Sequence, residues 1–177
     1  MKNNGIFLVG PMGAGKSTVG KKLSVLLRLQ FLDSDQILAS KHNSTIADIF
    51  SIHGEAYFRD QERLLLHVLT QRQNAILATG GGCIMCKNTR ITLANGGLVC
   101  YLRVSPLQQM QRILATGHRP TVPLNHLEQF KFFQKMYLER TILYESIAHI
   151  SIDTDRLDVD TIAHMLVDIV KDYNASN

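Results

Sequence analysis

No apolar run in this chain approaches the roughly 18–20 residues needed to cross a bilayer as a helix, so no membrane partner is expected. Met1-Lys2-Asn3-Asn4-Gly5 leads straight into a strand-like segment and lacks the apolar region and cleavage site of a signal peptide. A cytoplasmic location is the expectation. Cysteine is scarce: Cys83, Cys86 and Cys100 cannot all pair, and a chain of 177 residues needs no disulfide staples. Cys83 and Cys86 form one C-x-x-C, but no second pair or histidine pair completes a zinc site, so ordinary reduced thiols are expected. Clustered positive charge is also missing. The excess of 19 basic over 15 acidic side chains is mild and scattered, with Lys21-Lys22 the longest run. That excludes the stripe of a nucleic-acid binder and leaves small anionic ligands as the simplest partners. There is no internal repeat, low-complexity tract or linker, so residues 1–177 are read as one domain.

What is present is an alternation of short apolar runs and amphipathic stretches. Strands are predicted at Ile6–Val9, Phe31–Leu32, Ala75–Thr79, Leu98–Leu102 and His149–Ile152. Helices are predicted from Lys16 to Leu29, Thr45 to His53, Glu55 to Arg72 with Gly54 as a break, Asn88 to Asn95, Ser105-Pro106 to Ala115, His126 to Ala148, and from Asp158 onward. Thr116 to Asn125 carries Gly, two Pro and no periodicity, which predicts a mobile loop. Strands alternating with helices imply an α/β fold: a central parallel sheet of about five strands, helices on both faces. Phe130, Phe133 and Tyr137 stand at helical spacing and are expected to pack in the core or under the loop.

Gly10-Pro11-Met12-Gly13-Ala14-Gly15-Lys16-Ser17 satisfies G-x-x-x-x-G-K-[ST] between a buried-type strand and a helix, where a phosphate loop must lie. Its glycines let backbone N–H groups turn toward phosphate oxygens, and the helix N-terminus adds partial positive charge. Lys16 is then the β- and γ-phosphate lysine and Ser17 the hydroxyl that meets Mg²⁺. No N-K-x-D segment supports guanine specificity. Asp33-x-Asp35 falls at the end of the second strand, and in an open parallel sheet ligands bind outside the carboxyl ends of strands. Asp33 is a candidate to hold Mg²⁺, and Asp35 to accept the proton of an attacking hydroxyl. A carboxylate here also serves as an ordinary helix cap.

With these residues in view, the chain resembles the shikimate kinase family along nearly its whole length. Phe7 to Thr18 is similar to the family's phosphate loop, Asp33-Ser34-Asp35 to its D-x-D, and Phe58-Arg59-Asp60-Gln61-Glu62 to its F-R-x-x-E. Gly80-Gly81-Gly82 resembles its Gly triplet, Arg119-Pro120 its lid arginine, and Arg140 with Tyr144 and Ala148 its R-x-x-x-Y-x-x-x-A. The resemblance implies a P-loop kinase fold with a mobile lid at about 116–125 and a substrate-binding helical region at about 35–62. It implies transfer of the γ-phosphoryl of ATP, with Mg²⁺, to the 3-hydroxyl of shikimate in aromatic amino-acid precursor synthesis. Gly13, Ala14, Gly15, Lys16, Ser17 and Thr18 would hold the phosphates, with Arg112 and Arg156 at the adenine end and Arg119 closing from the lid. Arg59 and Arg140 would clamp the substrate carboxylate, Gly81 would offer its backbone N–H, Asp35 would act on the hydroxyl, and Glu62 would support Arg59.

Two departures from the family pattern stand out. Thr121-Val122-Pro123 replaces the usual Leu after Arg119-Pro120, and Thr141-Ile142 replaces the Asn-Pro that often follows Arg140, leaving the long helix unbroken. A kinase of another small carboxylate such as gluconate shares most of these features. A nucleotide-binding switch shares only the phosphate loop and needs neither Asp35 nor the arginine pair. Nothing in the sequence forces a partner chain, so a monomer is expected.

Overall fold

The computed structural model describes residues 5–115, 122 and 125–175. Five strands run β1 (Gly5–Val9), β2 (Gln30–Asp33), β3 (Ala75–Ala78), β4 (Gly97–Arg103) and β5 (Ile150–Asp153). All pair in parallel, in the spatial order β2-β3-β1-β4-β5. Around them lie α1 (Lys16–Leu27), α2 (Ser34–Lys41), α3 (Ile46–Leu69), α4 (Lys87–Gly96), α5 (Pro106–Ala115), α6 (His126–Glu145) and α7 (Val159–Ala175).

β1 explains the layering. Its residues are buried throughout, yet their side chains alternate. Ile6 and Leu8 join Val19 and Leu23 of α1 and Ile162 and Leu166 of α7, whereas Phe7 and Val9 join Leu66 of α3, Leu93 of α4 and Tyr144 of α6. A strand covered on both faces needs apolar residues at every position, which is why it reads as a run instead of an alternation.

The expected elements are present, with shifted ends. α1 stops two residues short of Leu29, because Arg28 turns left-handed (φ 55°) and its N–H returns to Ser24 and Val25 carbonyls. Periodicity gives no helix between Asp33 and Thr45, and only the resemblance implies a helical region from about 35; α2 fills that stretch, starting directly from β2 on an Asp33 cap. Thr45 closes a capping box with Asp48 at the start of α3. The two helices expected around Gly54 form one element bent at that residue (φ 81°). α6 is unbroken through Thr141-Ile142, and Ile142 faces solvent. Of the three aromatics expected to pack, Phe133 is fully buried and Tyr137 half-buried, whereas Phe130 is exposed and Gln129 takes the inward position.

Sheet order positions the site. β2, β3 and β1 are neighbours, so the segments leaving their carboxyl ends, far apart in sequence, emerge side by side. Thr79 fastens two of them, donating its N–H and hydroxyl to Leu8 O at 3.1 and 3.2 Å. No described helix is long and apolar enough to cross a membrane.

Candidate active site

The loop from Gly10 to Gly15 joins β1 to α1, and Gly15 caps the helix at φ 90°, a conformation that costs an L side chain strain but glycine little. Lys16 is buried, and its Nζ donates to the carbonyls of Gly10 (2.7 Å) and Pro11 (2.8 Å), drawing the loop into a ring around itself. Ser17 Oγ donates to Asp33 Oδ2 at 2.6 Å. The other carboxylate oxygen of Asp33 accepts the N–H groups of Asp35 and Gln36 at 3.0 and 3.1 Å, capping α2. Asp33 therefore fills the capping role with one oxygen and leaves the other beside the Ser17 hydroxyl. Among the described residues no cluster of three or more His, Cys, Asp or Glu suits a metal. A hydroxyl beside a carboxylate oxygen is the hard-oxygen pair that suits Mg²⁺ when phosphates complete the shell.

The Gly triplet is the hub of the opposite wall. A Cβ on Gly80 would stand 2.6 Å from Asp35 Oδ1 and overlap Glu62 Oε1, so both carboxylates crowd that residue. A Cβ on Gly81 would lie 3.0 Å from Met12 N, against the phosphate loop itself. A Cβ on Gly82 would overlap the guanidinium of Arg59. Ser34, fully buried, fixes the triplet from α2 by accepting the Gly80 N–H at 2.9 Å. Gly81 O accepts from Tyr144 Oη (2.5 Å) and Arg140 Nη1 (3.4 Å). Tyr144 in turn stacks on Tyr101 of β4 at 4.8 Å between centroids, and burial pushes its phenol well above the ordinary range.

Arg59 and Arg140 thus reach the same glycines from different helices. Arg59 sits over the rings of Phe50 and Phe58 at 5.6 and 5.2 Å, and the two rings pack at 4.5 Å across the bend at Gly54. Its Nη1 donates to Glu62 Oε2 at 2.8 Å, and its Nε and Nη2 to Glu55 Oε1 at 3.2 Å. Burial opposes the guanidinium's charge, but Glu62 and Glu55 outweigh it and hold the group above its usual range. Arg140 Nε is buried with no hydrogen-bond partner among the described residues, and so is Glu62 Oε1. Sequence reasoning passed over Phe50, Glu55, Ser34 and Thr154. The bend at Gly54 is the one signal that pointed to Phe50, since a straight helix would not return that ring to Phe58.

Glu62 is the site's strained charge. Burial pushes its carboxyl above the ordinary value of 4.5, Asp35 adds to the rise, and Arg59 opposes it. Because the folded state then holds a proton more tightly than the unfolded chain, stability falls as pH rises from 4.5 through the folded value. Urea unfolding at a series of pH values is expected to show the wild-type chain losing stability relative to Glu62→Gln over that window. A pH-independent difference between the two proteins would refute it.

A cavity of about 420 Å³ opens at the other end of the loop, between Gly13, Ala14, Gly15 and Thr18 on one side and Leu157, Val159 and Ile162 on the other. Arg112 of α5 forms part of its wall, donating to Gly13 O (3.3 Å), Thr154 Oγ1 (3.0 Å) and Thr154 O (2.5 Å). Its head is clasped by backbone and is not a loose surface charge. Arg156 is exposed in the loop between β5 and α7 and does not line the cavity. Arg119 and most of the expected lid at 116–125 lie outside the described residues; within it, Val122 is buried against Ile113 and Phe133, with Met12 of the phosphate loop alongside. The three thiols are free, and burial pushes those of Cys83 and Cys100 up to about 12, as unreactive packing groups.

Known proteins share this chain's family and fold. The family model described as shikimate kinase matches residues 12–171. A shikimate kinase of Legionella pneumophila (strain Corby) is 39% identical over 167 residues, covering 94% of each chain. One from Mannheimia succiniciproducens is 39% identical over 171 residues, covering 96% of this chain and 97% of that one. The solved structure of a shikimate kinase from Acinetobacter baumannii in complex with shikimate superposes with a TM-score of 0.89 at 37% identity, covering 97% of this chain and 94% of that one.

Proposed function

The chain belongs to the shikimate kinase family and is an ATP-dependent kinase acting on a hydroxyl of shikimate; on that premise we propose how its residues divide the work. The observation that carries the assignment is the convergence of Asp35, Arg59 and Arg140 on Gly80–Gly82, whose backbone lies against the phosphate loop. Phosphoryl transfer leaves the protein little covalent chemistry, so positioning and charge neutralisation carry the rate.

Gly13 to Thr18 cradle the triphosphate, and the adenine end occupies the cavity walled by Arg112. Lys16 exchanges its loop carbonyls for β- and γ-phosphate oxygens. Arg140, whose buried Nε has no partner among the described residues, and Arg59, braced by Glu62 and Glu55, receive the substrate carboxylate, which matches guanidinium forks in a bidentate way. Asp35 then orients the 3-hydroxyl and takes its proton as the oxygen attacks the γ-phosphorus. Gly81 gives the substrate close approach to the backbone, and Arg119 adds positive charge from the lid as transfer proceeds. Ser17 Oγ and Asp33 Oδ2 are the groups that would hold Mg²⁺. When bound, that ion neutralises charge on the transferring phosphoryl.

A monomer acting in the cytoplasm, where ATP is plentiful, is part of this proposal. A substrate panel at fixed ATP, read by coupled ADP release, is expected to give saturable turnover with shikimate and none with gluconate. Turnover of gluconate alone would reassign the acceptor.

A further inference from the structure

The triplet that receives these side chains has no regular secondary structure of its own, so beyond the Ser34 bond to Gly80 its rigidity depends on the segment that follows. Residues Gly80 to Met85 form a tight run ending in the 3-10 turn Cys83–Met85. Each of its six carbonyls has a partner. Gly80, Gly82 and Cys83 accept the N–H groups of Cys83, Met85 and Cys86 at 3.3, 3.1 and 3.3 Å. Gly81 accepts from Tyr144 and Arg140. The last two, Ile84 and Met85, accept from a single side-chain nitrogen, Arg90 Nη1, at 2.7 and 3.2 Å.

Arg90 occupies the first turn of α4, where the macrodipole disfavours a cation and where no acidic residue stands. The two carbonyls offset that cost. Bonds of the 3-10 kind are poorly aligned and short runs of them yield easily, so the turn depends on an external clasp. The bond to Ile84 is partly buried, so that carbonyl carries a desolvation penalty if deprived of its partner, whereas the bond to Met85 is exposed; bonds to a charged donor are worth more than neutral ones.

We propose that Arg90 is a positioning residue for the substrate carboxylate and hydroxyl, acting through the Gly80–Met85 segment without touching substrate. Asp35 and Glu62 lie against Gly80, Arg140 and Tyr144 hang on Gly81, and Arg59 rests on Gly82. Slack in the turn displaces all of these together. The phosphate loop touches the triplet at Gly81 but has ties of its own through Lys16 and the Arg112 clasp, so nucleotide binding escapes most of the effect.

This inference rests on the proposed substrate site, and the test separates the two. Arg90→Ala is expected to raise KM for shikimate about tenfold, the equivalent of one or two lost charge-assisted bonds, while KM for ATP stays within about twofold. Arg90→Lys is expected to recover part of the loss. Hydrogen exchange of the Met85 and Cys86 amides is expected to quicken in Arg90→Ala. If that variant fails to fold, Arg90→Gln, which keeps a donor without the charge, is measured in the same way. An unchanged KM for shikimate, or equal rises for both substrates with exchange unaltered, overturns the proposal. Absence of shikimate turnover by the wild-type chain would instead overturn the substrate reading, and the exchange measurement would still decide the role of Arg90.

Discussion

Asp35→Asn is expected to lower kcat by roughly 10³-fold, within the range general bases usually contribute, with the fold and ATP affinity almost unchanged. Three features make this variant clean. Asparagine is nearly isosteric with aspartate, so the packing of that side chain against Gly80 is retained. The helix cap at this point uses the backbone N–H of Asp35 and the side chain of Asp33, so α2 keeps both hydrogen bonds. Ser17 and Asp33 do not involve the altered side chain in their 2.6 Å contact. What disappears, on the proposed mechanism, is the capacity to take a proton from the attacking hydroxyl, together with one negative charge beside Glu62. The latter lowers the cost of ionising Glu62, which burial and Asp35 jointly raise. Single-turnover and steady-state ADP release, with nucleotide affinity measured in parallel, separate the outcomes. A variant within about tenfold of wild type would remove Asp35 from proton transfer, because a positioned base contributes at least about 10².

Lys16→Ala is expected to reduce kcat/KM for ATP by at least about 10³-fold, a barrier increase near 4 kcal/mol, and unlike the first variant it should also lower stability. The lysine is buried, and its bonds to the Gly10 and Pro11 carbonyls tie the start of α1 back to the beginning of the loop. Truncation leaves those carbonyls without that donor, a penalty of about 1–3 kcal/mol. It also removes the positive charge proposed to balance the γ-phosphate as its bond to the leaving oxygen stretches. Chemical unfolding gives the first loss and titration with ATP the second. Lys16→Met separates them, because it fills the space without donating. Equal nucleotide affinity in Lys16→Met and the wild type would mean that the ammonium serves the loop alone.

Much of this site can be read along the chain, and the limits of that reading follow from interaction range. The phosphate loop is legible because its function demands particular residues at fixed local spacing: glycines for the turn, then Lys16 and Ser17 at the helix start. The buried strands are legible because a strand covered on both faces must be apolar throughout, as β1 and β3 are. α2 escaped because its fully buried positions are only Ser34 and Leu38, too few to set a period. Phe130 misled because helical spacing gives a shared face but not which face turns inward; Gln129 took that place.

The sequence alone determined that this is an α/β nucleotide-binding chain with a phosphate loop, and its motifs were enough to single out the family, since local geometry and local chemistry dictate residue types at short spacing. Only the tertiary structure decided that Asp33, Gly80 and Gly10 stand side by side, because that follows from the strand order β2-β3-β1, a consequence of packing across the sheet. It also decided the division of labour within Asp33, the crowding of Gly82 by Arg59 and the clasp of Arg90 on Ile84 and Met85. Each of these is a contact between a side chain and a backbone or partner group whose position depends on packing, and a residue type by itself carries no record of that position.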